Sequence, residues 1–232
     1  MRKSPAIVAS LRSCLLVFLC VAPLAVCAQE LKLAPVDEAG RDASWVGFRN
    51  RLLAAIEKRD RKFLLGILDR DIRNSLEAPR GIAEFRRQWD IEADDSSLWR
   101  ELSSALFLGA AYVERGKGRR ELCAPYVLAK WPQDVDPFVN GVIISREVLV
   151  KAEPASGSGT LQTLSYDLVA VADWEVADRA ADVKQRWVKV KVRSGEGYVP
   201  EEQIRSPVEH SACFVKTESG WRLTGFGPGG GS

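Results

Sequence analysis

The chemistry open to this chain is limited first by its one histidine, His210, and by five cysteines, of which Cys14, Cys20 and Cys27 fall in the first 28 residues. Any Cys–His or Ser–His nucleophile has to use His210. That residue stands in Pro207-Val208-Glu209-His210-Ser211, a loop or strand edge where a surface or packing role is the plainer reading. In an oxidising compartment Cys123 and Cys213 most simply pair with each other, the other reading being two buried free thiols. Two distant cysteines fall short of the ligand count zinc requires, so no metal site is expected. Adjacent or near-adjacent carboxylates occur at Asp69/Asp71, Asp94/Asp95, Asp134/Asp136 and Glu201/Glu202. A glycosidase needs two carboxyls at a set separation across a cleft, whereas these stand in turn-like or cap-like settings. Arg115, Lys117, Arg119 and Arg120 crowd a glycine-bearing segment that can contact an anion or simply be a solvated charged turn. Neither a P-loop nor a dinucleotide fingerprint occurs, and Gly157, Gly159, Gly195 and Gly197 serve turns. The expectation is no catalytic residue, no cofactor and no enzyme.

The elements that would position these groups are clearest near the C-terminal third. In Trp187-Val-Lys-Val-Lys-Val, Val188, Val190 and Val192 alternate with Lys189, Lys191 and Arg193, the period of a half-buried strand. Ser194-Gly195-Glu196-Gly197 turns the chain and Tyr198-Val199 begins a return strand that ends at Pro200. Upstream, Val148–Lys151 is a short strand leading to Pro154, Ser156–Gly159 a flexible loop, and Leu168–Val171 another strand. A long polar insert, ADWEVADRAADVKQR, separates Val171 from Trp187.

This order of strands resembles a bacterial SH3 (SH3b) domain: an apolar strand into an R-x-x-P turn, here with Lys151 before Pro154, then a strand, W-V-x-V, a glycine turn and G-Y-V at Gly197-Tyr198-Val199. The long insert departs from that pattern. Together with a Cys-Ala-Pro-Tyr segment at Cys123–Tyr126, the chain resembles exported SH3b-containing bacterial proteins of unassigned activity. The resemblance implies a non-catalytic binding or adaptor protein whose ligand is peptidoglycan or an envelope protein. The alternative is a cell-wall hydrolase, or hydrolase activator, with its active part in the helical half. Aromatic side chains around the loops would carry recognition: Tyr166, Trp174 and Tyr198. Trp187 is a fourth candidate, although the head of W-V-x-V also suits a core position.

The N-terminus reads as a signal peptide over 1–28. Arg2, Lys3 and Arg12 precede a short apolar run, and Val26-Cys27-Ala28 offers a cleavage site before Gln29; lipidation of Cys27 is the alternative. The product would be periplasmic or secreted and would carry no membrane span. The whole chain has 33 basic and 31 acidic residues, and losing the leader leaves 30 against 31. A near-neutral chain gives no electrostatic case for nucleic acid.

Between 29 and 137 the expectation is a helical domain with a linker. Trp45, Phe48, Leu52 and Ile56 form one apolar stripe; Asp60 can cap a second helix; Phe85 and Trp89 mark a third; Leu98, Leu102, Leu106 and Val113 a fourth. The flanking parts also resemble the opening and closing elements of NTF2-like domains, which would imply a ligand cone. With the SH3b-like domain at 138–206, and a hairpin and flexible tail at 207–232, the expected fold class is α+β: an N-terminal helical domain, a small SH3-like β-barrel and a C-terminal β-hairpin. The two cysteines would bracket the SH3b-like part, so that the final hairpin returns to pack on the helical half.

Overall fold

The apolar stripes of the first half bury themselves against a sheet as well as against one another. A computed structural model describes residues 31–75, 77–116 and 118–231; the leader and its Cys27 lie outside them. Helix α1 (Ala43–Glu57) starts where the Asp42 carboxylate accepts hydrogen bonds from the backbone N–H of Ser44 and Trp45. Asp60 caps α2 (Arg61–Ile67) in the same manner, accepting from Phe63. Then come strand β1 (Leu68–Arg73), helices α3 (Ile82–Trp89) and α4 (Leu98–Phe107), and the hairpin β2 (Ala111–Glu114) and β3 (Arg120–Ala124). A short helix α5 (Tyr126–Lys130) leads away to a second sheet, and the chain returns as β11 (His210–Thr217) and β12 (Gly220–Pro228).

These returning strands are central. The first sheet runs β1-β12-β11-β3-β2, with β1 parallel to β12 and the other pairs antiparallel. Trp45, Phe48, Leu52, Phe85 and Leu102 from the helices bury with Phe214, Trp221, Leu223 and Phe226 from the hairpin. The Trp45 ring meets Phe214 and Trp221 edge-on at 5.1 and 5.0 Å, a favoured aromatic geometry. The sheet face that an NTF2-like cone would leave open is thus filled by side chains.

The second sheet takes strands β4 (Asn140–Ile143), β5 (Val148–Lys151), β6 (Thr160–Leu164), β7 (Leu168–Ala177), β8 (Arg186–Val192), β9 (Gly195–Pro200) and β10 (Ile204–Arg205) in the order β10-β4-β7-β8-β9-β5-β6. The alternation of Val188 and Val190 seen in the sequence places both in its core, with Val150, Val171 and Val199. Residues before α1 lie along this sheet: Leu33 donates to the Tyr166 carbonyl, and Lys32 meets Asp167 at 2.5 Å.

The expected fold class is therefore corrected. The chain is mostly β, with a five-stranded and a seven-stranded sheet and five short helices among the described residues, not a helical domain followed by a small SH3-like barrel. Three local readings failed with it. The helix expected to reach Val113 stops at Phe107, because Gly109 turns the chain at φ 79° and Ala111–Glu114 pairs with β3. Gly109 is required there, since a Cβ would lie 2.5 Å from the Val36 carbonyl oxygen. The polar insert is not a loop at its start: β7 continues through Asp173, Trp174 and Glu175 to Ala177, with irregular register against β8. The glycine tail does not hang free either, for Gly230 and Gly231 are buried against β11 and Arg73.

Cys123 and Cys213 are opposite each other on β3 and β11 and form a disulfide, with Cα atoms 4.1 Å apart. That is the spacing of a non-hydrogen-bonded antiparallel pair. Among the described residues no helix is long and apolar enough to cross a membrane.

Candidate functional site

The four aromatic residues expected to carry recognition do not meet. Trp187 is 2% exposed, and its indole N–H donates to the Asp178 carboxylate at 2.8 Å. It is a core residue of β8. Tyr198 stands opposite Lys151 and Lys189 in the strand ladder, on the face of β9 away from buried Val199. Tyr166 takes φ 61° in the turn before β7, where its carbonyl is held by Leu33. Of the four, Trp174 lines a hollow. Its indole N–H donates to the Phe138 carbonyl at 2.9 Å, and its ring edge lies over Gly141.

That hollow, about 340 Å³, is lined by Phe138, Trp174, Val188, Ile204 and Glu209 among others. It shares Glu201, Ile204 and Glu209 with a second hollow of about 690 Å³ between α4 and β10. Together they form a groove along β10 with an apolar lip at each end. Phe107, the last residue of α4, is 85% exposed, and Phe138 is 69% exposed. Full exposure of large apolar rings beside a hollow marks a contact surface more than scattered apolar residues do. The groove is also acidic: its lining holds Glu101, Glu175, Glu201, Glu202 and Glu209 against two cations, Arg100 and Arg205, while Arg186 reaches Glu175 from outside it at 3.4 Å.

One of those cations is consumed by the structure. Arg205 is buried, donating to the Ser104 hydroxyl at 3.1 Å and the His210 carbonyl at 2.6 Å, with Glu209 at 3.6 Å. Desolvation moves the Glu209 carboxyl above its ordinary pKa, against the pull of Arg205. Because 41% of that side chain stays open, solvent tempers the effect. His210 faces Glu101 at 3.3 Å, and its ring packs beside the stacked pair Trp89 and Phe226. The imidazole, followed by Arg100, holds the Glu101 carboxyl down at about 2.

A separate polar cleft of about 520 Å³ opens on the far face of the five-stranded sheet, away from the helices. Its floor is Glu121, which accepts two hydrogen bonds from Arg73, at 3.0 and 2.7 Å, one from Arg115 Nε at 2.9 Å and one from the Thr224 hydroxyl at 3.0 Å. Thr224 is aimed there because the β11–β12 register slips at this point and leaves it without an opposite residue. Gly225 beside it lets the Arg73 guanidinium approach, since a Cβ there would lie 2.8 Å from an Arg73 terminal nitrogen. Glu121, Cys123 and Cys213 stand close enough to hold a metal ion, but the two sulfurs are joined to each other and two guanidiniums already serve the carboxylate.

The sequence reading missed Phe107, Phe138, Glu209 and Arg73. Phe107 had a signal: it falls off the Leu98–Leu102–Leu106 stripe of its own helix. Phe138, Glu209 and Arg73 become site residues only through pairings far apart in the chain. The chain matches no family model, no curated protein and no solved structure.

Proposed function

We propose that the protein is a non-catalytic binding or adaptor protein of the bacterial envelope, exported to the periplasm or beyond, and that it holds its partner in the groove along β10. The partner is a basic segment bearing apolar side chains, supplied by an envelope protein. The observation that carries this reading is the lining of the groove: five carboxylates against two guanidiniums, between the exposed rings of Phe107 and Phe138. Opposite charge draws a cationic chain in and fixes its orientation, and the rings supply contact area. Strands β8 and β9, which carry the SH3b resemblance, form the sheet behind Trp174, and that resemblance supports a recognition role for it. A disulfide between Cys123 and Cys213 suits an oxidising compartment. The alternative, a cell-wall hydrolase, would draw on His210, which is engaged by Glu101 and packed on Trp89.

The test combines two measurements. Fluorescence anisotropy with a labelled peptide alternating lysine and phenylalanine should show binding that weakens with salt and is lost in a Phe107→Ser/Phe138→Ser variant. A peptide alternating glutamate and phenylalanine should not bind. Incubation with purified peptidoglycan sacculi should release no soluble fragments. Release by the wild type would replace the adaptor reading with a hydrolase, and equal peptide binding by the double variant would move recognition away from the groove.

A further inference from the structure

We propose that the polar cleft on the far face of the five-stranded sheet binds a phosphate monoester group through Arg115 and Arg119. The site lies on the opposite sheet from the groove and does not depend on the adaptor reading. Its floor carries more positive charge than its own structure needs. One guanidinium is enough to neutralise Glu121, which is 6% exposed, yet two are drawn onto it. Arg73 spends both terminal nitrogens on the carboxylate. Arg115 spends Nε, and one of its terminal nitrogens has only the Cys213 sulfur, at 3.8 Å, a weak acceptor. That edge is turned inward onto the buried carboxylate and sulfur, which fixes the guanidinium, and the other terminal nitrogen, without a hydrogen-bond partner among the described residues, is left for an oxyanion.

Arg119 adds to the same wall. It sits in the β2–β3 turn, which backbone hydrogen bonds from Arg115 to Arg119 and from Arg119 to Gly116 close at 2.8 and 3.1 Å. Among the described residues Arg119 forms no ion pair, while neighbouring Arg120 is occupied by Glu114 at 2.8 Å. Two guanidinium planes presented from a pinned turn suit the oxygens of a phosphate.

Charge bears on the ligand class. Of the five arginines in the lining, Arg73 neutralises Glu121, Arg80 meets Asp71 at 3.4 Å and Arg120 meets Glu114 at 2.8 Å, which leaves Arg115 and Arg119 to a ligand and Asp69 as the carboxylate without an ion pair among the described residues. A phosphate monoester carries roughly −1.5 to −2 at neutral pH, enough for both guanidiniums, whereas a single carboxylate answers one of them. Asp69 and Asp71 form the opposite wall, so a second phosphate further along would be repelled, which disfavours nucleic acid. Beside Glu121 the lining also includes the neutral Val215, Thr217 and Thr224, which are left for the remainder of the ligand, and about 520 Å³ admits a small organic group. The same chemistry is offered by a soluble phosphate ester and by a lipid headgroup.

The experiment follows the thermal unfolding midpoint of the full chain against inorganic phosphate, with ionic strength held constant by sodium chloride. Phosphate should raise the midpoint of the wild type where chloride does not. Arg119→Ser, a rim change outside the Glu121 network, should leave the midpoint without phosphate unmoved and weaken phosphate about fivefold, the order of one exposed ionic contact. Sedimentation with phosphatidylcholine vesicles containing a tenth of phosphatidic acid separates the sources. Co-sedimentation lost in Arg119→Ser assigns a lipid headgroup, and phosphate stabilisation without co-sedimentation assigns a soluble ester. Phosphate stabilisation no greater than that of chloride, or an Arg119→Ser variant that binds phosphate like the wild type, overturns the proposal.

Discussion

Replacing Glu121 by glutamine should be among the most damaging single changes in the molecule. The carboxylate is the shared counter-ion of Arg73, whose side chain is 13% exposed, and of Arg115, 28% exposed. Glutamine keeps the size but removes the charge, so two guanidiniums are left facing each other under little solvent. Removing one partner of a buried ion pair costs about 3–5 kcal/mol, and the partial exposure of Arg115 argues for the lower end, roughly 3 kcal/mol. The sign of the pH dependence follows from the carboxyl group. Desolvation is the largest influence on it and acts upward, yet the combined hydrogen bonds and charges of Arg73, Thr224 and Arg115 leave it below its ordinary value of 4.5. A carboxyl depressed in the folded state contributes its stability above the unfolded pKa, about 4.3, and loses it as pH falls through the folded value. Urea unfolding at pH 7 should therefore show the full gap between wild type and Glu121→Gln, and the gap should close as the buffer is taken below about pH 4.3. Removing all three charges, with Arg73→Met, Arg115→Met and Glu121→Leu, should cost much less than Glu121→Gln alone, since no charge is left without a partner. A Glu121→Gln variant within about 1 kcal/mol of wild type at neutral pH would refute the reasoning, because the floor would then not be an ion pair in any energetic sense.

Two further outcomes are open to the same assays. A Cys123→Ala/Cys213→Ala variant should lose about 4–5 kcal/mol at most, the chain-entropy value for a loop of this size, because the disulfide closes a separation of 90 residues; equal urea midpoints for it and the wild type would show that the sheet pairing alone holds the two ends. His210→Gln should raise the Glu101 carboxyl from about 2, since the imidazole is the largest influence holding it down. Its stabilising share, present above the unfolded value and lost through the folded one, would then vanish at higher pH, and a carboxyl NMR titration in which Glu101 does not move would dismiss the pairing.

What the sequence made legible was local. The alternation of Val188 and Val190, the Asp60 cap and the apolar faces of α1 and α3 all lie within one element's reach and are present as read; the hairpin after Val192 is present too, but it turns at Arg193-Ser194 and its return strand already begins at Gly195, not at Tyr198. What it hid was the partner of each face. A helical stripe such as Trp45–Phe48–Leu52 buries equally well against other helices or against a sheet, so the stripes alone suggested a helical domain. Likewise, Asp173 and Glu175 around Trp174 look like a loop, although strand alternation permits both on a solvated face.

The decisive information is carried by pairings between distant residues, and one feature of the sequence did point to them. An isolated hairpin is marginal in water, and the last one carries Phe214, Trp221 and Phe226, three rings that have to be covered. Its cysteine, Cys213, needs Cys123 within about one strand spacing, although ninety residues separate them in the chain. Taken together, these bring the hairpin back beside β3, and β1 completes the sheet on the free edge of β12, parallel to it. The same closure creates both sites. It draws Arg73 on β1 onto Glu121 across the sheet, where Arg115 already lies six residues away through the β2–β3 hairpin, and it sets Glu209, just before β11, beside Ile204 under the Trp174 groove. Inserting one sheet between neighbouring strands of another thus brings Glu209 and Arg73 to places that no local pattern signals, whereas Trp174 and the cluster of Arg115, Arg119 and Arg120 were already visible in the sequence.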